Sequence, residues 1–317
     1  MKKISILIPC HNEQDNIERL YEQLTDSISS IDGYLWEIVF VEDGSYDDTL
    51  SRIKQLRERD NRVCFISLSR NFGKENAMLA GFDHITGDCV IIMDADLQHP
   101  PQLMAEMIGE WESGYDDVYA ERLNRGKESW LRRKLSMLYY RLLQKMAKVD
   151  VLPNVGDFRL LDRKCIDSMK KLRETQRYTK GLYCWIGFKK KEIEFQQGDR
   201  IAGESSWNYR QLFSLAVDGI TSFTNAPLRI STITGFVISV LTFIYMVWVF
   251  IKAAIWGDPV QGYPTLVILI LFLGGAQLLS LGIIGEYIGR IYNETKNRPN
   301  YIVRDFNGNT SIDDIPK

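Results

Sequence analysis

The sequence predicts a mostly parallel α/β domain followed by a pair of long apolar helices. Two features predict this arrangement. Before Pro227, short apolar runs alternate with amphipathic stretches, which is typical of a sheet that helices cover on both faces. After Pro227, two long runs carry no charged side chain, which is typical of helices that cross a membrane.

The N-terminal part alternates strands with helices. Apolar runs that are short and uninterrupted fit strands buried on both faces. Ligands of such sheets bind beyond the carboxyl ends of the strands, so the residues after each strand form the candidate site. We predict strands at Ile4–Ile8, Glu37–Val41, Val63–Leu68 and Cys89–Met93, and helices at Asn16–Ser29, Asp48–Arg59, Glu75–His84 and Pro101–Glu112.

The first predicted strand resembles the start of a signal peptide. Its apolar run is short and no small-residue cleavage site follows, whereas a signal peptide has a longer apolar core and such a site. We therefore expect the α/β domain to stay in the cytoplasm.

Composition argues against several classes of protein. Lys and Arg number 39 against 41 Asp and Glu, so the overall charge indicates no nucleic-acid partner. The five cysteines are an odd number without a CxxC pair, which favours a reducing compartment over a disulfide framework or a zinc site. His11, His84 and His99 share no metal-ligand spacing, so we expect them in loops or on the surface.

The two uncharged runs are Ile230–Ile251 and Gly262–Gly285. At about 1.5 Å per residue, each can cross a hydrocarbon core of roughly 30 Å. We predict membrane spans at about 230–253 and 264–287; two buried helices of a soluble domain are the alternative. The link Gly257–Gln261 has no Lys or Arg, whereas basic residues flank the other ends of the pair, so the positive-inside rule places both termini in the cytoplasm.

These patterns divide the chain into a cytoplasmic α/β domain at 1–204, a juxtamembrane helix at 205–228, two membrane helices at 229–289 and a cytoplasmic tail at 290–317. Apolar residues between Leu131 and Met146 share one face of a predicted helix, the stripe Leu131–Met146, and Arg and Lys residues lie on its other faces. Such a helix fits either binding to an anionic membrane surface or an ordinary place on the protein surface. The stripe Leu212–Phe223 leads into the first span, so we expect it at the membrane interface.

Part of one face of the second span carries small residues. Glycines stand at 275, 282, 285 and 289, and small faces let membrane helices approach closely. We therefore expect a homo-oligomer.

An acidic motif follows the fourth predicted strand. Asp94 and Asp96 are two residues apart, and Gln98 follows at the same interval. Carboxylates at that spacing after a buried strand can point into one crevice, and with an amide oxygen they suit Mg²⁺ or Mn²⁺ bridging a diphosphate. A solvated loop is the alternative.

Polar residues follow the other strands as well. Asp43 follows the second strand and can accept hydrogen bonds from a nucleobase or ribose, while Asp47 suits the start of the next helix. Pro9–Glu13 closes the first strand, and Ser69–Lys74 closes the third and places a cation near the diphosphate.

These motifs together resemble the inverting glycosyltransferases of family 2, which have a GT-A fold. The resemblance is carried by Pro9–Glu13, Glu42–Ser45, RNFGKENA at Arg70–Ala77 and DADLQHPP at Asp94–Pro101. Within the family the chain is most similar to polyprenyl-phosphate glycosyltransferases, particularly bactoprenol glucosyltransferases of the GtrB type, and is related to dolichyl-phosphate mannose synthase. The likeness spans essentially the whole chain, including the two C-terminal spans.

The resemblance implies a role for individual residues. The implied catalytic residues are Asp96, Arg200 and Asp157. Arg200 matches an arginine on a loop that steadies the phosphates. Asp157 would act as a base or orient the acceptor. The implied donor contacts are Pro9, Glu13, Asp43, Lys74 and Asp94; the implied metal contacts are Asp94, Asp96 and Gln98; and the implied acceptor-phosphate contacts are Arg122, Arg132 and Ser136.

The implied reaction moves a hexose onto undecaprenyl or another polyprenyl phosphate, for modification of a cell-surface glycan. UDP-glucose is the favoured donor, and UDP-galactose, UDP-N-acetylglucosamine and GDP-mannose stay open. A processive polysaccharide synthase is one alternative, although the chain lacks a QxxRW motif. A non-catalytic membrane scaffold that binds a nucleotide sugar is the other.

Overall fold

The structure is a computed structural model that describes residues 1–122, 155–195, 226–256 and 262–308. The chain divides into two compact units. Met1–Ala216 together with Arg298–Lys317 forms one unit, and Val217–Asn297 forms the other. The first unit contains the sheet, and the second contains two long helices.

The described part of the first unit contains eight strands and six helices. The strands are β1 (Lys2–Cys10), β2 (Tyr34–Glu42), β3 (Val63–Leu68), β4 (Cys89–Ile92), β5 (Asp117–Arg122), β6 (Val155–Asp162), β7 (Lys190–Phe195) and β8 (Val303–Asn307). The helices are α1 (Gln14–Ser29), α2 (Thr49–Arg59), α3 (Lys74–His84), α4 (Leu103–Glu112), α5 (Arg163–Lys171) and α6 (Thr179–Trp185).

The strands form one mixed sheet in the order β7-β5-β6-β4-β1-β2-β3-β8. Neighbours among β4, β1, β2 and β3 are parallel, and β5 is parallel to β7. Strand β6 runs antiparallel to both β4 and β5. The carboxyl ends of β1 to β5 therefore meet at one edge, where β6 begins, and the predicted α/β class is confirmed.

The core forms around the central strand β1. Ile4, Ile6 and Ile8 are fully buried and belong to the same cluster as Leu20 of α1. Each such side chain stabilises the fold by about 1.5–3 kcal/mol when it leaves water. A strand covered on both faces has no side for polar residues, and the buried Ser5 meets this constraint because its hydroxyl donates to a carboxylate on β2.

All four predicted strands and all four predicted helices are confirmed, with bounds that differ by a few residues. The later elements of the α/β unit, β5 to β8 with α5 and α6, were not predicted. The prediction for His84 was wrong, because His84 is the last residue of α3 and only 4% exposed. His99 lies in the loop between β4 and α4, as predicted, although it is only 2% exposed. Both rings pack as aromatic surfaces: His84 lies 4.8 Å from the Phe306 ring and His99 lies 4.8 Å from the Phe158 ring, between centroids.

The C-terminal segment forms an edge strand of the sheet. Strand β8 runs antiparallel beside β3. Just before it, the Tyr301 hydroxyl donates to Asp83 at 2.7 Å, and the Arg173 guanidinium donates to both oxygens of that carboxylate at 2.6 and 2.9 Å. The segment after residue 297, expected only as a tail, is therefore part of the α/β unit.

The second unit contains α7 (Ala226–Trp256) and α8 (Tyr263–Thr295), which contact each other. The two predicted long helices are confirmed as helices. Among the described residues, one stretch is long and apolar enough to cross a membrane, the 24 residues Phe272–Thr295. It lies further along the chain than the predicted second span at 264–287. In α7 the apolar stretch among described residues is the shorter Ser231–Tyr245.

Several predictions concern residues outside the described ranges. They are the stripes Leu131–Met146 and Leu212–Phe223, the link Gly257–Gln261, and the site residues Arg132, Ser136 and Arg200.

Candidate active site

Lys74, the first residue of α3, joins two carboxylates that come from different strands. Its Nζ lies 2.5 Å from Asp94 Oδ1 and 2.7 Å from Asp157 Oδ2. The register of β4 and β6 pairs Ile92 with Arg159. Continued by two residues, that register sets position 94 opposite position 157, so the sheet itself brings the two acids together.

Exposure decreases across this cluster. The side chain of Lys74 is 41% exposed, that of Asp94 is 25% exposed and that of Asp157 is 9% exposed. Lys74 is therefore the most exposed of the three side chains, and Asp157 is the most buried.

All three groups are charged at neutral pH. Burial alone would lower the pKa of Lys74, but Asp157 and Asp94 raise this pKa well above its ordinary value. Burial alone would raise the pKa of Asp157, but Lys74 and Lys180 hold this pKa well below its ordinary value. The pKa of Asp94 is also lowered, because nearby Lys74 outweighs burial. A carboxylate with a lowered pKa is a weak proton acceptor.

The acidic motif forms a tight turn after β4. Leu97 has a φ of 62°, and the Gln98 amide N–H donates to Asp96 Oδ1 at 3.2 Å. The Asp94 amide N–H donates to His99 Nδ1 at 3.2 Å, so His99 helps to hold the turn.

The oxygen groups of this turn fit a hard divalent cation such as Mg²⁺ or Mn²⁺. Among the described residues, no three His, Cys, Asp or Glu side chains are grouped to hold a metal ion. The metal contacts of Asp94, Asp96 and Gln98 stay predictions.

Asp43 organises the loop that carries Lys74. It is 3% exposed, and its two carboxylate oxygens accept N–H groups from Phe72 at 2.7 Å and Gly73 at 2.8 Å. Gly73 has a φ of 90°, a conformation that favours glycine. We expected Asp43 to be available for a nucleotide; its direct partners here are backbone groups of the β3–α3 loop.

The turn after β2 approaches the same loop closely. A Cβ placed on Gly44 would lie 2.3 Å from the Arg70 carbonyl carbon, and Gly44 has a φ of 61°. Only glycine meets both conditions, which accounts for its place in the Glu42–Ser45 motif.

His11, at the end of β1, links three of these loops. Its Nδ1 lies 2.8 Å from the Asp43 carbonyl oxygen, which can only accept, so Nδ1 carries the proton. The Nε2 atom then accepts from the side-chain amides of Asn12 at 3.1 Å and Asn71 at 3.0 Å. The tautomer with a proton on Nδ1 is compatible with all three contacts. Nearby, Glu13 accepts the Asn16 amide at 2.6 Å.

Comparison with known proteins agrees with this geometry. The model of glycosyl transferase family 2 matches residues 5–169, more than half of the chain. The chain belongs to glycosyltransferase family 2. It is a glycosyltransferase with a GT-A fold, and residues 226–291 also match the model of the GtrB C-terminal hairpin.

Relatives in this family align with nearly the whole chain. CsbB of Bacillus subtilis is 49% identical over 304 residues, 96% of this chain and 92% of that protein. The uncharacterized glycosyltransferase sll0501 of Synechocystis is 42% identical over 306 residues, 96% of each chain. The SfII prophage-derived bactoprenol glucosyl transferase of Shigella flexneri is 42% identical over 302 residues, 95% of this chain and 97% of that protein.

The family resemblance implies a role for Asp157, and the structure places this residue beside Lys74, which also contacts Asp94. It also places the backbone of Arg122 at the end of β5, on the same edge of the sheet, two strands from β4. Pro9 pairs with Val41 near the end of β1. The ligand contacts of all these residues stay predictions.

Sequence reasoning missed the side of the crevice formed by α6 in this glycosyltransferase. The Glu75 carboxylate accepts the Thr179 amide N–H at 2.9 Å and also its hydroxyl, so α3 and α6 are joined beside Lys74. Burial raises the pKa of Glu75, and neighbouring Asp157 adds to this. The one available signal was the position of Glu75 directly after Lys74.

Arg177 stands close to this junction and was also missed. It is 9% exposed and its Nη1 donates to the Leu172 carbonyl. Within the described part of the chain, its Nε and Nη2 have no hydrogen-bond partner. Burial lowers the pKa of Arg177, and the Glu75 carboxylate opposes that effect. Arg177 therefore supplies a buried positive charge near the Glu75 carboxylate.

Proposed function

We propose that this glycosyltransferase moves a hexose, first of all glucose from UDP-glucose, onto undecaprenyl or another polyprenyl phosphate, with inversion at the anomeric carbon. The observation that carries the proposal is the match at 42% identity over 95% of the chain to proteins named bactoprenol glucosyl transferase. That match extends beyond the family 2 domain into the hairpin.

The donor would bind along the ends of β1 to β4. Pro9, Glu13 and the β3–α3 loop would lie on the nucleotide side. Lys74, whose side chain is 41% exposed, would contact the diphosphate. Asp94 and Asp96, with Gln98, would hold a Mg²⁺ or Mn²⁺ ion, whose chemistry is to offset charge on the leaving diphosphate.

The acceptor would bind on the side of β5 and β6. A phosphate monoester has a second pKa of about 6, so its oxygen is already largely anionic at neutral pH. That oxygen forms a bond to the anomeric carbon while the bond to the nucleoside diphosphate breaks, a single displacement that inverts the configuration. Cations at Arg122, Arg132 and Arg200, together with Ser136, would hold the phosphates, and no strong base is required.

The hairpin would keep the enzyme beside its lipid substrate. The exposed apolar side chains of α8, among them Phe272, Leu278 and Ile284, fit a hydrocarbon environment. We propose two spans with both termini in the cytoplasm. We also propose a homo-oligomer, supported by Gly282 and Gly285, where an added Cβ would meet no atom within 4 Å.

Full-length protein in detergent tests the proposal. It is incubated with undecaprenyl phosphate, a divalent metal salt and each of four labelled sugars: UDP-glucose, UDP-galactose, UDP-N-acetylglucosamine and GDP-mannose. We expect label in the extracted lipid from UDP-glucose, and only when undecaprenyl phosphate is present.

The rival functions give different results in the same assay. A processive synthase would place several sugars on one acceptor, whereas the proposed enzyme adds one. A non-catalytic scaffold would bind a nucleotide sugar and label no lipid. Either result would refute the proposed transfer.

A further inference from the structure

We infer that Lys74 and the divalent cation compete for Asp94, and that Asp157 is the positioning residue that retains Lys74 when the cation binds. The inference deepens the proposed function and rests on it only for the metal-bound diphosphate donor.

The competition follows from the distance between Lys74 and Asp94. The Lys74 Nζ is 2.5 Å from Asp94 Oδ1. A Mg²⁺ ligand oxygen lies at about 2.0–2.1 Å from the ion. An ammonium group and a divalent cation that approach the same carboxylate repel each other at short range, because both are positive. The two cations therefore compete for Asp94, and a metal ion bound there weakens the contact of Lys74 with it.

Exposure and charge decide which carboxylate is exchanged. Asp94 is 25% exposed and stands beside a second acid, Asp96, whereas the Asp157 side chain is 9% exposed. Lys180 adds a positive potential at Asp157, which disfavours a divalent ion there. Metal therefore binds at Asp94, and Lys74 stays with Asp157.

This exchange would couple metal binding to donor binding. Without a nucleotide, Lys74 already balances one of the two negative charges of Asp94 and Asp157. The described residues also offer no group of three Asp, Glu, Cys or His side chains that could hold a metal ion. The donor supplies diphosphate oxygens for the metal and a new anionic partner for Lys74. We therefore expect the enzyme to bind metal weakly alone and tightly together with the nucleotide.

The first test measures Mn²⁺ binding to the full-length protein in detergent, from the electron paramagnetic resonance signal of free Mn²⁺, without and with UDP. Without UDP, we expect Lys74→Met to bind Mn²⁺ at least about tenfold more tightly than wild type, because a close positive charge is gone. Lys74→Arg keeps the charge and should bind like wild type. The control Lys54→Met, at a surface ion pair with Asp305, should also bind like wild type.

The second test measures the role of Asp157 through UDP affinity by calorimetry, with Mn²⁺ present. Asp157→Asn should weaken UDP binding at least about fivefold in the wild-type background and less than about twofold in the Lys74→Met background, since it acts through Lys74. Thermal unfolding of each variant reports whether it is folded.

Two results would overturn the inference. One is Mn²⁺ binding to donor-free Lys74→Met that is no tighter than wild type. The other is an equal loss of UDP affinity from Asp157→Asn in both backgrounds. Neither measurement contains an acceptor, so failure to label polyprenyl phosphate would refute the proposed function and leave this inference standing.

Discussion

Replacing Tyr301 with phenylalanine tests whether the segment after α8 holds α3 in place. The Tyr301 hydroxyl donates to Asp83 at 2.7 Å, and the Asp83 side chain, next to the last residue of α3, is fully buried. The first residue of the same helix is Lys74. Because phenylalanine keeps the ring, Tyr301→Phe removes the hydrogen bond without opening a cavity.

The structure sets the expected magnitude. A hydrogen bond to a charged group contributes about 1.5–3 kcal/mol. Arg173 would still donate to both Asp83 oxygens, at 2.6 and 2.9 Å, so the carboxylate is not left as an unpaired buried charge. We therefore expect the lower end of the range, a loss of about 1.5 kcal/mol in the free energy of unfolding.

Urea unfolding of the full-length protein in detergent, followed by tryptophan fluorescence, measures this loss. Tyr34→Phe is the matched control, because the Tyr34 hydroxyl donates to Glu112 at 3.2 Å on the exposed surface, where we expect less than about 0.5 kcal/mol. Tyr301→Phe should also lose most of its effect in an Asp83→Asn background. Equal losses from the two tyrosine variants, or full additivity with Asp83→Asn, would refute the reasoning.

Four other perturbations have defined outcomes. Asp96→Asn should lower lipid labelling at least about a hundredfold with the fold kept, and excess EDTA should do the same to wild type; near-normal labelling in either case would contradict a metal role. Arg122→Ala should weaken the use of polyprenyl phosphate in rate measurements and leave donor affinity, measured by calorimetry, nearly unchanged. Arg122→Lys should restore activity only partly, because lysine lacks the two-pronged contact with phosphate. An equal loss of donor affinity would place the residue on the donor side. Gly44→Ala should lower the urea midpoint by the equivalent of about 2 kcal/mol or more, since the new Cβ would lie 2.3 Å from the Arg70 carbonyl carbon; an unchanged midpoint would contradict that close approach. Burial would raise the pKa of Glu37, but hydrogen bonds from three side chains and one amide lower this pKa below its ordinary value of 4.5. The stabilising contribution of ionised Glu37 is therefore present above pH 4.5 and is lost as pH falls further. In urea unfolding at a series of pH values, Glu37→Gln should lose less stability than wild type below pH 4.5.

Local pattern was sufficient for the first half of the α/β unit. The strand Ile4–Ile8 is apolar at nearly every position because helices cover both of its faces, so its burial can be read from neighbouring residues alone. The position of the acidic motif at Asp94–Gln98 can also be predicted from neighbouring residues. A polar cluster directly after a buried strand must lie at the carboxyl edge of the sheet, where the structure has it.

Strand β6 could not be found in this way. It carries Asp157 and Arg159 in its interior, and such charges predict a solvent-exposed segment. Their charges are tolerated because Arg159 pairs with Asp117 at 3.1 Å and Asp157 pairs with Lys74 at 2.7 Å. Both partners are distant in sequence, so no local window contains the reason for the strand. Strand β8 lies at an edge of the sheet, where alternation and apolarity are weak.

The sequence by itself determined the fold class, the two long apolar helices and the strand ends that carry the site, because each depends on patterns within a few neighbouring residues. Only the tertiary structure decided which side chains form hydrogen bonds and ion pairs with each other. Asp43 binds the loop of Lys74, Tyr301 and Arg173 meet on Asp83, and Lys74 lies between Asp94 and Asp157. The physical reason is that a hydrogen bond or ion pair depends on distance in space. That distance is set by sheet register and by the return of the chain after α8, which are properties of the whole fold.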